Sequence, residues 1–189
     1  VDLLRLAILG RAARGGVEPE TLVAEVQSMA GAFWRPAGEV VLAGLQQLIA
    51  EGDIRIDQHD RPRHMVTVRL TARGALHFGA LMTRDVRDTP EPLFHAVMMI
   101  EVALVDVLPI AQRWCQVTAL QERLKRDLLA LRGEGVTTGR AGNPARCRSY
   151  ARQFDEDRLE GEIRWLGALA EMAGSFGALT QTADLSRPT

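Results

Sequence analysis

Residues 34–74 read WRPAGEVVLAGLQQLIAEGDIRIDQHDRPRHMVTVRLTARG, and the period of their apolar residues changes within that stretch. Val40, Val41, Leu45, Leu48 and Ile49 recur at three- and four-residue steps, which predicts a helix from about Pro36 until Glu51-Gly52 ends it. Beyond Gly52, Ile54 and Ile56 alternate with charged residues, Asp60-Arg61-Pro62 supplies turn chemistry, and Val66, Val68 and Leu70 alternate again. A period of two on both sides of a turn predicts a two-stranded hairpin. Thr71 is placed to cap a further helix from Ala72 to about Met82, its hydroxyl satisfying an amide that the first helical turn leaves unpaired.

Working outward, Leu3, Leu4, Ala7 and Ile8 mark a first helix that stops at Arg14-Gly15-Gly16. Glu18-Pro19 opens a second, with Leu22, Val23, Val26 and Met29 on one face, because proline is tolerated where no amide donor is needed. Helix, helix, helix, hairpin, helix within about 80 residues is the order of a winged helix-turn-helix, in which the third helix can enter a major groove. Trp34-Arg35-Pro36, Leu45-Gln46-Gln47-Leu48, Glu51-Gly52, Ile54, Arg69-Leu70-Thr71 and Gly74 together resemble the PadR family. The resemblance implies a DNA-binding transcription regulator, dimeric through C-terminal helices.

Two departures from the family's pattern bear on that implication. The turn into the recognition helix usually reads Ser-Pro-Gly-Ser or Thr, an aliphatic residue and Tyr, whereas this chain has Ala37, Gly38, Glu39, Val40, Val41 and Leu42. No lysine or arginine occurs from Ala37 to Glu51, so Gln46 and Gln47 are the neutral polar side chains left to reach base edges. Glu18-Pro19-Glu20 replaces the family's common His-Gly-Tyr, adding negative charge to the second helix.

Residues 1–80 hold nine arginines and nine acids, but residues 54–73 hold five arginines against Asp57 and Asp60. Arg61, Arg63 and His64 fall at the hairpin tip, with Arg55 and Arg69 flanking it, in types that suit phosphate contact or a narrow minor groove. The candidate DNA-binding residues are therefore Arg35, Gly38, Gln46, Gln47, Arg55, Arg61, Arg63, His64 and Arg69. The competing reading of the tip is a solvated surface.

Asp85, Asp88, Thr89, Pro90 and Pro92 mark a boundary, giving a winged domain over 1–84, a helical domain over 90–176 and a flexible tail over 177–189. Leu93 to Leu108 is apolar almost all round and must be buried by several neighbours, and Pro109 breaks it. A long helix from Ile110 carries Trp114, Val117, Leu120, Leu124, Leu128 and Leu131 and ends at Gly133. A glycine- and arginine-rich loop to about Ser149 precedes a last helix from about Tyr150 to Met172.

That last helix has two apolar stripes, one of Leu159, Ile163, Leu166, Ala170 and Ala173, the other of Trp165, Leu169, Met172 and Phe176. One stripe is expected to face its own chain and the other a second copy, the alternative being a wider monomeric bundle. The C-terminal half also resembles the long-helix extension of PadR-like proteins and AphA-like virulence activators, down to Arg164-Trp165-Leu166. Candidate dimer-interface or effector-pocket residues are Trp114, Val117, Leu124, Leu159, Ile163, Trp165, Leu166 and Leu169. For Trp114 and Trp165 the resemblance implies aromatics around a small flat effector, and the competing reading is core packing.

Other chemistries find little in the 189 residues. Apolar residues make up 47%, charged residues 25%, and the net charge is -1, the balance of an ordinary globular chain. Cys115 and Cys147 lack metal spacing, and His95, Glu101 and Asp106 do not share a helical face, so no metal or cofactor is expected. Gly139-Arg140-Ala141-Gly142 lacks the lysine and hydroxyl of a phosphate-binding loop. Neither a signal peptide nor a membrane span is expected, and a reduced cytoplasm suits two isolated cysteines. The expectation is a mainly α protein with one β-hairpin, a winged helix-turn-helix plus an antiparallel helical dimerisation domain, and not an enzyme. Its partners would be double-stranded DNA, a second copy, and a small aromatic effector or another protein. The alternative is a winged-helix adaptor or antagonist that no longer reads DNA and uses Glu18, Glu20, Glu39, Val40 and Leu42.

Overall fold

The computed structural model describes residues 2–58, 66–84, 89, 91–133 and 143–184. The elements are α1 (Leu3–Ala13), α2 (Pro19–Met29), α3 (Gly38–Ala50), β1 (Ile54–Gln58), β2 (Val66–Leu70), α4 (Ala72–Met82), α5 (Glu91–Ala103), a 3-10 turn (Val105–Val107), α6 (Ile110–Gly133) and α7 (Asn143–Asp184). The chain is thus mainly α with an antiparallel hairpin, and its first eighty residues follow the winged helix-turn-helix order. Contacts divide it into Val1–Pro109 and Ile110–Thr189.

In the first unit α1 is the centre, touching α2, α3, α4, β2 and α5. Its Leu6, Ala7, Ile8 and Leu9 are all at most 1% exposed, so the helix is covered on nearly every side. Leu22 and Val26 of α2 and Val41, Leu45 and Leu48 of α3 close on it from one direction. Each such buried aliphatic side chain contributes roughly 1.5–3 kcal/mol relative to exposure. The hairpin pairs Ile54 with Leu70, Arg55 with Arg69 and Ile56 with Val68. Val17, in the loop after α1, adds a bridge to Val68 through Val68 N–H to Val17 O at 2.8 Å and Val17 N–H to Val68 O at 3.2 Å. That bridge extends the sheet by one residue, which no periodicity around Val17 announces.

The unit boundary falls at Pro109, not at 85–92 as the turn residues suggest. The reason is the all-round apolarity of α5: Phe94, Ala96, Val97, Met98 and Ile100 are buried, and α1 and α2 supply cover. Arg14 fastens the following turn, its Nε donating to Asp106 at 3.2 Å and its Nη2 to the Ala103 carbonyl.

In the second unit α6 and α7 run antiparallel. Arg132 pairs with Glu156 and Glu160, while Gln121 Nε2 donates to the Ile163 carbonyl at 3.0 Å. Between them lie Val117, Leu120, Leu124 and Leu128 of α6 and Leu159, Leu166 and Ala170 of α7. The last helix begins at Asn143, seven residues before the expected Tyr150, since Pro144 in the first turn is compatible with a helix start. It continues to Asp184, through residues expected to be tail. The loop motif Gly139–Gly142 and the end of the chain after Asp184 lie outside the described residues.

Candidate nucleic-acid interface

The presented surface of α3 follows from which residues it commits inward. Val41, Leu45 and Leu48 are buried, leaving Glu39, Val40, Leu42, Ala43, Gln46, Gln47 and Ala50 exposed. A helix held by one apolar stripe with the rest open is what a groove-entering element requires. Val40 and Leu42 are 50% and 42% exposed, so two aliphatic side chains flank the outward line of Glu39, Ala43 and Gln46. Gln47 is already engaged, its Nε2 donating to Glu51 at 2.8 Å, which leaves Gln46 as the better placed of the two amides. Gly38 is half-buried, with its Cβ position 3.4 Å from Val23, so it seats α3 on α2 instead of facing outward as expected. Arg35, just before α3, is exposed.

The root of the hairpin is locked by hydrogen bonds that explain the Leu70-Thr71 and Gly74 positions. Thr71 N–H donates to the Asp53 carbonyl at 2.9 Å, and its hydroxyl lies 2.8 Å from Gly52 O and accepts from Gly74 N–H at 3.0 Å. A Cβ at residue 74 would sit 2.1 Å from Asp53 O, so only glycine fits there. Gly52 has φ of 79°, the left-handed conformation that turns the chain out of α3 into β1.

Asp53 itself is fully buried and gathers basic side chains from α1 and α4. His77 Nδ1 lies 2.8 Å from its Oδ2, Arg73 Nε 3.2 Å from its Oδ1, and Arg5 Nη1 3.5 Å from Oδ2. Arg5 also holds Glu51 at 2.6 Å. The Arg5 hydrogen bond, helped by Gln47, holds the Glu51 carboxyl below its ordinary value, and the same contact raises Arg5. This cluster joins α1, the end of α3, the start of β1 and α4, and so fixes the hairpin against the presented helix. Asp53 gave no signal in the sequence because its partners lie up to 48 residues away.

Arg55 and Arg69 face each other across the ladder, an unfavourable like-charge pair unless something intervenes. Asp57 intervenes, 3.4 Å from Arg55 Nε and 3.1 Å from Arg69 Nε. Both arginines remain largely exposed, with part of their charge offset at the root of the wing. Arg61, Arg63 and His64 lie outside the described residues.

The α6–α7 pair corrects several expected interface residues. Val117, Leu124, Leu159 and Leu166 are at most 5% exposed within the single chain and are therefore unavailable to a second copy. Ile163 and Leu169 are half-buried. Trp114 and Trp165, for which core packing was the competing reading, are 51% and 42% exposed. Tyr150 and Phe154, which neither expected stripe of the last helix included, stand exposed on α7 as well. His95 and Asp106 make contacts within the first unit: His95 stacks on Phe33 at 5.2 Å and Asp106 pairs with Arg14. Among the described residues no cluster of His, Cys, Asp and Glu could hold a metal, and no helix is long and apolar enough to cross a membrane.

No family model and no curated protein matches the chain. Solved structures do. The chain is 18% identical to Bacillus subtilis PadR crystallised with operator DNA, with a TM-score of 0.41 over 90% of this chain and 98% of that one. Against the same protein crystallised with p-coumaric acid the identity is 18% and the TM-score 0.40, over 91% and 99%. For a PadR-like transcriptional regulator of Bacillus cereus the values are 12% and 0.41, over 89% and 94%. The protein described here is thus similar to PadR and PadR-like transcriptional regulators of known structure.

Proposed function

We propose that the protein is a dimeric DNA-binding transcription regulator, not an enzyme, and that α3 with the adjoining wing is its DNA-facing surface. The observation that carries this reading is the presentation of α3: one buried stripe, an outward line of Glu39, Ala43 and Gln46 left open, and a hairpin rooted beside it by the Thr71 and Asp53 contacts. Gln46 is suited to the adenine edge, Ala43 and Leu42 to the thymine methyl, while Arg55, Arg69, Arg61 and Arg63 would supply phosphate contacts. A small aromatic effector belongs to the same reading, with the exposed Trp114 as a stacking partner. Fluorescence anisotropy against DNA from upstream of its own gene tests it. Binding should weaken steeply with salt, and Arg61→Ala with Arg63→Ala should lower the log–log salt slope by about 2. A tight complex insensitive to salt, or no binding at low salt, overturns the reading.

A second reading is favoured by one observation, the joint exposure of Val40 and Leu42 beside Glu39. An acidic, apolar helix face suits a basic amphipathic protein segment, making the protein an adaptor or antagonist. Specific retention of a promoter fragment counts against it.

A further inference from the structure

We propose that Glu39 reads a base: its carboxylate accepts a hydrogen bond from the N4 amino group of a cytosine, with thymine methyls beside it and an adenine about three base-pair steps away. This rests on the DNA-binding reading above and adds what the presented helix recognises.

The direction of each side chain comes from the residues that α3 buries. Val41, Leu45 and Leu48, at most 4% exposed, define the inward side. At about 100° per residue, Glu39 and Ala43 lie within about 30° of the opposite direction and Gln46 within about 50°. Val40 and Leu42 lie about 70–90° to either side. When such a helix enters a major groove, its central line meets base edges and its flanks pass nearer the two backbones. Glu39 is on the line that faces bases, and it stands in the first helical turn, where recognition helices meet them. Among the described residues no hydrogen bond or ion pair engages its carboxylate, so both oxygens are open to a donor.

The chemistry of that line selects the bases. In the major groove a carboxylate can accept only from the amino groups of cytosine and adenine, since guanine and thymine offer acceptors there. Adenine sets the acceptor N7 beside its amino group, which repels a carboxylate, whereas cytosine has a C–H beside its own. Residues 37–51 contain no lysine or arginine, so the bidentate guanine contact is missing from this helix. Gln46 can pair its amide with adenine N6 and N7, and Ala43, Val40 and Leu42 suit thymine methyls. Glu39 and Gln46 are separated by about 10.5 Å along the helix, which matches about three steps of 3.4 Å. A first-turn carboxylate also favours the helix dipole, and Ala37 gives α3 no side-chain cap. That role accounts for an acid in the first turn but not for its direction opposite the buried stripe.

The test is selection from duplexes with a randomised core, followed by fluorescence anisotropy of the full chain at low salt against each base pair at each selected position. The original protein should prefer cytosine about fivefold at one position, the low end for a base-edge contact, and adenine about three pairs away. Uracil in place of a contacted thymine should weaken binding by up to about fourfold. Glu39→Gln should tighten binding to every duplex, because a negative charge leaves the phosphate field, and should also move the preference at that one position from cytosine to adenine. Glu39→Ala should erase the cytosine preference alone, and Gln46→Ala the adenine preference alone. A carboxylate that merely repels phosphates gives uniform tightening in Glu39→Gln with every preference unchanged. That result, or selected sites in which no cytosine preference depends on Glu39, overturns base reading by Glu39 and leaves the DNA-binding reading standing. A chain that enriches no duplex and binds none at low salt overturns both.

Discussion

Replacing Gly74 with alanine tests whether the hairpin root is as tightly built as its hydrogen bonds indicate. The new methyl would lie 2.1 Å from Asp53 O, 2.9 Å from Asp53 C and 2.8 Å from Leu70 Cδ1. Leu70 could rotate aside, but the Asp53 carbonyl also accepts from Thr71 N–H and Thr71 Oγ1, so it cannot move without loosening both. Inserting a methyl against fixed backbone costs roughly 3 kcal/mol, the upper end for overpacking, and the gain in helix propensity returns at most about 1 kcal/mol. A net loss of about 2 kcal/mol should lower the thermal midpoint by about 4–8 °C for a chain of this size. Gly79→Ala is the internal control: it lies in the same helix with nothing within 4 Å of its Cβ position, and should stabilise by about 0.5–1 kcal/mol. Urea melts of the two variants beside the original protein measure the contrast. If Gly74→Ala proves as benign as Gly79→Ala, the close packing of α4 on the β1 root is not a real constraint and the account of Leu70-Thr71 and Gly74 fails.

Further outcomes follow from the charge clusters. Asp53→Ala strands Arg5, Arg73 and His77 around an apolar gap; since Arg73 and His77 are largely solvated, a loss of about 2–3 kcal/mol is expected, read as a lower urea midpoint. Glu51 has a folded-state pKa below its unfolded one, so its contribution is present above the ordinary glutamate value of about 4.3 and is lost as pH falls through the lowered one. Urea midpoints taken from pH 6 down to pH 3 should therefore fall less steeply for Glu51→Gln than for the unchanged protein; identical slopes refute the assignment. Glu39→Gln removes a carboxylate from the outward line of α3 and should tighten DNA binding severalfold at low salt if that face meets DNA. Anisotropy unchanged by the substitution places α3 away from the nucleic acid.

The local order of elements was legible because it depends on periods that the sequence carries in single stretches. The change from three- and four-residue steps to alternation after Gly52, the cap at Thr71 and the stop at Arg14-Gly15-Gly16 each act within a few residues, and α1–α4 with the hairpin appear where those signals put them. The two-sided apolarity of the last helix was legible in the same way, though Tyr150 and Phe154 were not counted into it.

What the tertiary structure decided is which of several chemically possible partners each residue meets. No local signal joins Asp53 to Arg5, Arg73 and His77, places Val17 beside Val68, or turns Val117, Leu124, Leu159 and Leu166 inward while Trp114 and Trp165 remain outside. Periodicity gives a helix its faces but not the identity of what covers them, and that is settled only when distant segments compete for the same apolar and charged surface. Hence α5, apolar all round, could be recognised as buried from the sequence, whereas its placement with the first unit required the packing of α1 and α2 against it.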